Sequence, residues 1–393
     1  MEACGARTDH RGSGYSAGLS WALLYERLQM DASRKGAGMW RWMAIGVIAG
    51  AGGLLPVSAA VEHLQEPHPY SLQGDFWFTH DPSIAKDGST YYVFATGKAP
   101  GGGQLPLRCS EDLLHWRMCG HVFDAIPQWI QQRSPGTKEL WAPDISHTHG
   151  EYRLYYAYSL FGRNLSGIAL ATNKTLDPKS PDYKWVDKGL VLESKESDDF
   201  NAIDPNYAED AHQHAWLSFG SFWTGIKMRA LNAETGMLSE KDDALYSLAS
   251  RIKPDHPAPQ KFDPEHPPLP PDWQAIEAPF IVEHGGYYYL FVSFDLCCRG
   301  TRSTYKTMVG RSRKITGPYA DRGGTPMLKG GGSLLLGPNR RWLGPGGESI
   351  LHQGDGTDLI VFHAYDAQTG KPALQISTIV WQDGWPMAAL GNN

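Results

Sequence analysis

The chain has 393 residues and a formal net charge of −6, a mild acidity that argues against nucleic acid or an anionic membrane surface as a partner. Hydrophobic residues make up 41%, enough to build a large core. The 14 Trp and 18 Tyr suit stacking on the C–H faces of sugar rings, although filling a core accounts for most of them.

Residues 1–38 form a polar leader, expected either to be disordered or to be untranslated with the start at Met39. Residues 39–60, MWRWMAIGVIAGAGGLLPVSAA, read as a secretory signal peptide. Arg41 gives the positive start, residues 43–55 the apolar stretch, and Val57-Ser58-Ala59-Ala60 a small-residue cleavage site. An uncleaved anchor is the alternative, but the apolar part is short and Gly-rich for a membrane span. The cysteines agree with export. Cys109 and Cys119 flank a hairpin turn and can pair across it. Cys297-Cys298 is vicinal and reads equally as a ring disulfide or as two free thiols.

Residues 61–393 are the predicted folded domain. Residues 61–75 are polar, hold two prolines and read as an extended lead-in. Five segments then repeat one plan: an acid, a short apolar strand, a turn and an aromatic strand. They are HDPSIAKDGSTYYVFATG (80–97), APDISHTHGEYRLYYAYS (142–159), IDPNYAEDAHQHAWLSFG (203–220), IEAPFIVEHGGYYYLFVSF (276–294) and GESILHQGDGTDLIVFHAYD (347–366). Their acids, Asp81, Asp144, Asp204, Glu277 and Glu348, lie 63, 60, 73 and 71 residues apart. Such intervals hold about four short strands each, the size of one propeller blade. The fold class is therefore all-β, a five-bladed β-propeller. Five acids at equivalent blade positions are expected to crowd one end of the central channel. The plain alternative for each is a turn or strand-edge residue. The Pro-rich stretch at 253–273 cannot be a central strand and reads as a loop between blades three and four, bordering the cleft or merely linking.

Three acids stand out by context. Glu277 lies in the apolar frame Ala275-Ile276-Glu277-Ala278-Pro279, which raises a carboxyl pKa and suits a general acid. Asp81, in a more polar setting, suits a general base. Asp204 between them can orient the acid and raise its pKa by repulsion. Hydrolysis of a glycosidic bond needs such a pair. Residues 61–393 hold no P-loop, no dinucleotide fingerprint following a strand and opening a helix, and no G-x-S-x-G elbow.

The motifs HDPSI, ELWAPDI, NAIDPN, FGSFWTGI, IEAPF and CCRGTRSTY, in this order, resemble the endo-arabinanases of glycoside hydrolase family 43. The likeness runs from about Phe76 to Trp385. Fructan-acting propellers open instead with Asn-Asp-Pro, which this chain lacks. The resemblance implies a secreted enzyme that hydrolyses α-1,5-linked L-arabinofuranose chains of arabinan and pectic side chains with inversion. Asp81 is then the base, Glu277 the acid and Asp204 the modulator of that acid. Trp141 and Phe161 resemble aromatic walls of the sugar cleft. Asn206 and Ser221 resemble polar residues near the reacting sugar, and Trp223 is wall or core. Asp144 fits a structural or water-holding role. His363, in VFHAYD, matches the histidine that reaches a calcium or sodium ion held mostly by water in the central channel. Gly347-Glu348 departs from the His-Asn of many relatives, and Glu348 is expected to alter the metal site or the sugars that fit. The implied partner is the polysaccharide. A monomer is expected, without stable membrane association once the signal is cleaved. An exo-acting arabinofuranosidase or β-xylosidase is the nearest alternative, and a non-catalytic glycan-binding propeller a more distant one.

Overall fold

Aromatic and β-branched runs that alternate in direction can be buried on both faces only if a sheet packs on each side. The computed structural model, which describes residues 65–251 and 275–391, shows this arrangement five times. Blade one holds β1 (Gln73–Gly74), β2 (Ser83–Asp87), β3 (Thr90–Phe94), β4 (Gln104–Ser110) and β5 (His115–Phe123). Blade two holds β6 (Trp141–Thr148), β7 (Glu151–Tyr158), β8 (Ser166–Asn173) and β9 (Val186–Ser194). Blade three holds β10 (Asn206–Glu209), β11 (Ala215–Phe219), β12 (Ile226–Ala230) and β13 (Tyr246–Ala249). Blade four holds β14 (Ile276–His284), β15 (Tyr287–Phe294), β16 (Lys306–Ser312) and β17 (Ser333–Leu336). Blade five holds β18 (Trp342–His352), β19 (Asp358–Asp366), β20 (Pro372–Gln382) and β21 (Trp385–Met387). Within each blade consecutive strands from β2 onward pair antiparallel. The predicted five-bladed β-propeller is the fold.

The second strand of every blade is almost wholly buried and feeds two cores by period-two alternation. In β7, Leu154 and Tyr156 join blade one, while Tyr155 joins blade three. In β15, Leu290 and Val292 face blade three, while Tyr289 and Phe291 face blade five. In β19, Ile360 and Phe362 meet blade four, and Leu359 and Val361 meet blade one. Five apolar wedges thus close a ring.

The lead-in does more than extend. Gln73 and Gly74 pair in parallel with His115 and Trp116 of β5. Tyr70 N–H donates to Ile376 O at 2.9 Å, and Leu374 N–H donates to Phe76 O at 2.8 Å, both on β20. One segment therefore clasps the outer strands of blades one and five together. Local sequence offered no strand alternation here, because the pairing is with distant partners.

The Cys109–Cys119 disulfide joins β4 to β5, as expected, and Cys297–Cys298 is also bonded. The leader, the signal peptide and the Pro-rich stretch at 253–273 lie outside the described residues. Among the described residues no helix is long and apolar enough to cross a membrane.

Candidate active site

The head of each blade bends at one residue in the left-handed region: Asp81, Ala142, Asp204, Ala278 and Gly347, at φ of 47°, 42°, 56°, 53° and 60°. Four of them precede proline, which disfavours the helical region for the residue before it. In β6, β14 and β18 the ladder skips two residues at this point. Each non-glycine bend costs about 1–3 kcal/mol and persists because the surrounding blades enforce it. All five bends, with their neighbours, line one open pit at the meeting point of the blades.

This geometry corrects the expected register of the acids. Only Asp81 and Asp204 occupy the bend itself. Glu277 stands one residue before it, in the position of His80 and Trp141. Glu348 stands one after and Asp144 two after. The signal that could have found the true register is the proline after the bend (Pro82, Pro143, Pro205, Pro279), not the acid.

Two residues after each bend lies a ring of inter-blade bonds. Ser83 Oγ accepts from Ile145 N–H at 3.0 Å, and Asp144 Oδ2 from Tyr207 N–H at 2.7 Å. Asn206 Oδ1 accepts from Ile281 N–H at 2.9 Å, and Ser349 Oγ from Ile84 N–H at 3.1 Å. Phe280, in blade four, breaks the series. Asp144 is thus structural, and burial pushes its pKa up to about 7 against those bonds. Asp144→Ala should cost about 1–3 kcal/mol, read from urea unfolding, because the Tyr207 N–H is left buried without its acceptor.

Asn206, expected near the reacting sugar, is a member of the same ring. It is 1% exposed, its Oδ1 is used as above, and its Nδ2 donates to Asp144 Oδ1 at 3.2 Å. Ser221 is also buried and points elsewhere than expected: its Oγ donates to Glu277 Oε2 at 2.6 Å. It meets Glu277 rather than an open cleft. Trp141 is half-buried, in the position equivalent to Glu277. Phe161 is 72% exposed on the turn after β7, and Phe78 is a second exposed ring close in sequence to His80.

Asp81 is held through one oxygen. Its Oδ2 contacts His80 Nδ1 at 3.0 Å and accepts from Thr96 Oγ at 2.6 Å. Its Oδ1 takes no hydrogen bond among the described residues; His363 Nδ1 is 3.6 Å away. The Asp81 side chain is 24% exposed. Burial works against its charge, but the charge of His80 and the hydrogen bonds with His80 and Thr96 outweigh it, and its pKa falls well below the usual range.

Glu277 is only 7% exposed. Both of its oxygens are engaged, Oε2 by Ser221 and Oε1 by the hydroxyl of Tyr305. Burial raises its pKa first; the two hydrogen bonds oppose and the charge of Asp81 adds to the rise. Asp204 Oδ2 accepts from Ala278 N–H at 3.2 Å, which ties it to the backbone beside Glu277. Burial, then the charges of Glu277 and Asp81, push its pKa well up. The three carboxyls therefore share one electrostatic site. Tyr305 and Thr96 were not assigned roles from sequence; Tyr305 sits inside the motif CCRGTRSTY, while nothing local marks Thr96.

His363 is fully buried, and burial and the charge of His80 keep it neutral. Its Nδ1 accepts from Asp81 N–H at 3.2 Å, and its ring stacks on His80 at 3.7 Å. Its Nε2 is buried without a partner among the described residues, which asks for a water or an ion. His80, Asp81 and His363 bring ligand atoms within 4.8 Å of one another. Glu348, lining the cavity, accepts from Ser293 Oγ at 2.9 Å, and burial pushes it up to about 8. It enters the site as a neutral acid at neutral pH rather than as an added charge.

Residues 77–386 match glycosyl hydrolases family 43. The chain is 43% identical over 315 residues to the extracellular exo-α-(1→5)-L-arabinofuranosidase of Cellvibrio japonicus, covering 78% of this chain and 85% of that protein. It is 38% identical over 353 residues to the extracellular endo-α-(1→5)-L-arabinanase 1 of Bacillus subtilis, covering 88% and 97%. The α-L-arabinanase of Cellvibrio cellulosa, solved with arabinohexaose, superposes with a TM-score of 0.72 at 41% identity, over 80% of this chain and 96% of that one. With the propeller, the pit and its carboxyls already in place, these likenesses identify the chain as a glycoside hydrolase belonging to glycosyl hydrolases family 43.

Proposed function

We propose that the protein hydrolyses α-1,5-L-arabinofuranosidic bonds within arabinan, with inversion. Asp81 acts as base, Glu277 as acid and Asp204 as the modulator of that acid. The observation that carries this reading is the opposite tuning of two carboxyls, Asp81 at the pit and Glu277 near enough to feel its charge. Asp81 stays ionised with Oδ1 free to take a proton from water. Glu277 is pushed towards the protonated form and can give its proton to the leaving oxygen. Ser221 and Tyr305 carry hydroxyls that donate or accept, so they hold Glu277 in either state. Asp204 and Glu277 repel each other's charge, which keeps a proton on the pair. Trp141 and Phe161 supply faces for the sugar chain.

Incubation with linear arabinan tests this: a ladder of arabino-oligosaccharides is expected, and no turnover would remove the proposal. An exo reading has one observation in its favour, the name of the 43%-identical relative. It would give only arabinose or one short product. Export is proposed from residues 39–60 and from the extracellular designation of both curated relatives. Protein of unprocessed length confined to the cell would contradict it.

The residues fit a calcium or sodium ion: His363 offers a neutral imidazole with an unpartnered nitrogen, and waters would complete a hard ion's shell. Such an ion would supply positive charge near Asp81. Elemental analysis of dialysed protein should find about one ion per chain in the wild type and less in His363→Ala.

Gly347 sets the clearance of the pit. A Cβ there would lie 2.7 Å from Asp81 Oδ1 and 2.9 Å from His363 Nδ1, at a φ of +60°. Gly347→Ala is expected to cut kcat on the order of 10²-fold by displacing Asp81. Gly354→Ala, which meets nothing within 4 Å, should leave initial rates unchanged.

A further inference from the structure

We infer that the vicinal disulfide Cys297–Cys298 is a positioning element for Asp81, an inference that rests on the reading of Asp81 as base. A bond between adjacent cysteines closes a small ring through both sulfurs, both Cβ and Cα atoms and the peptide between them. The N–H of that peptide belongs to Cys298, and it donates to Tyr365 Oη at 2.8 Å. Tyr365 Oη meets His80 Nε2 at 2.5 Å. His80 Nδ1 meets Asp81 Oδ2 at 3.0 Å. A continuous chain of bonds thus runs from the ring to the carboxylate, and it ends on the Asp81 oxygen that Thr96 also holds.

The ring holds Cys298 at a φ of 65°, a conformation that an unconstrained cysteine disfavours. Its loop is closed by Thr304 N–H donating to Leu296 O at 2.9 Å. Gly344 lies close to the Tyr365 ring, where an added Cβ would stand 3.1 Å away. Cys298 Sγ lies 3.9 Å from His80 Nε2, so the sulfur pair is also a neighbour of the histidine it helps to place. Opening the ring leaves the 297–298 peptide free to rotate. Its N–H then leaves Tyr365, and the orientation of His80 and Asp81 relaxes. In the oxidising setting of an exported protein the ring stays closed.

Dithiothreitol tests the idea. Reduction transfers two electrons and two protons from the dithiol: the Cys297–Cys298 bond breaks, two thiols form and the reagent closes its own disulfide. The measurement is made in the full-length Cys109→Ala/Cys119→Ala protein, so that the other disulfide of the described residues plays no part. Reduction is expected to lower kcat on linear arabinan on the order of tenfold, with KM changed less than about twofold, and reoxidation should restore it. Tyr365→Phe should show a similar loss, and reduction in that variant should add nothing, because both act through one chain of bonds. A thermal melt of each form confirms that it is folded. Three results would overturn the inference: unchanged kcat on reduction, a rise in KM with kcat constant, or the same further loss in Tyr365→Phe. If Asp81→Asn were fully active, the reading of Asp81 itself would fall. An inactive Asp81→Asn beside a redox-indifferent wild type would sink only the positioning role.

Discussion

Glu277→Gln is expected to lower kcat on linear arabinan about 10²–10⁴-fold, the usual contribution of a general acid. Glutamine keeps the size of the side chain and can still contact Ser221 Oγ and the Tyr305 hydroxyl, so the pit should keep its shape. What is lost is the proton for the leaving oxygen. A 4-nitrophenyl arabino-oligoside needs no such proton, because nitrophenolate leaves unaided. On that substrate the variant should retain most of the wild-type rate. The pH profile gives a second readout. Glu277 has a raised pKa, so wild-type activity on arabinan falls as pH climbs through it and the carboxyl loses its proton. On the aryl substrate this alkaline limb should be absent from the variant. Equal loss on both substrates would assign Glu277 to another step.

Asp81→Asn should lose about 10²–10⁴-fold on both substrates alike, since activating water is needed whatever the leaving group. The amide can still meet Thr96 Oγ and His80, so binding should survive and KM should move little. The carboxylate cannot be replaced in accepting a proton. Wild-type Asp81 has a lowered pKa, so it remains ionised across the neutral range, and activity should fade only as acid protonates it. A substrate-dependent loss, mild on the aryl compound, would reverse the assignments of Asp81 and Glu277.

The blades were legible because their second strands write period two in large side chains. Leu154-Tyr155-Tyr156 and Ile360-Val361-Phe362 each split between two neighbouring cores, and that demands sheets on both sides. Two of the carboxyls that share one electrostatic site were legible as types in context, an acid in an apolar frame and another beside histidine. Their register was not. An acid is a conspicuous letter, whereas the bend that aligns the blades is a backbone conformation shared by Asp, Ala and Gly. Asn206 shows the limit from the other side. A polar residue beside a candidate acid looks the same in sequence whether it faces a sugar or accepts the N–H of Ile281 in the next blade. The clasp of the lead-in on β20 was hidden for a related reason: Tyr70 and Ile376 are neighbours only after the ring has closed.

The most direct trial of the whole account is the handedness of the first product. Proton NMR recorded in the opening minutes of arabino-oligosaccharide cleavage, before mutarotation blurs the anomers, should show the new reducing end as β-L-arabinofuranose, opposite to the α bond broken. An α anomer appearing first would mean that water does not attack from the face opposite the leaving group, and Asp81 could not be the residue that activates it.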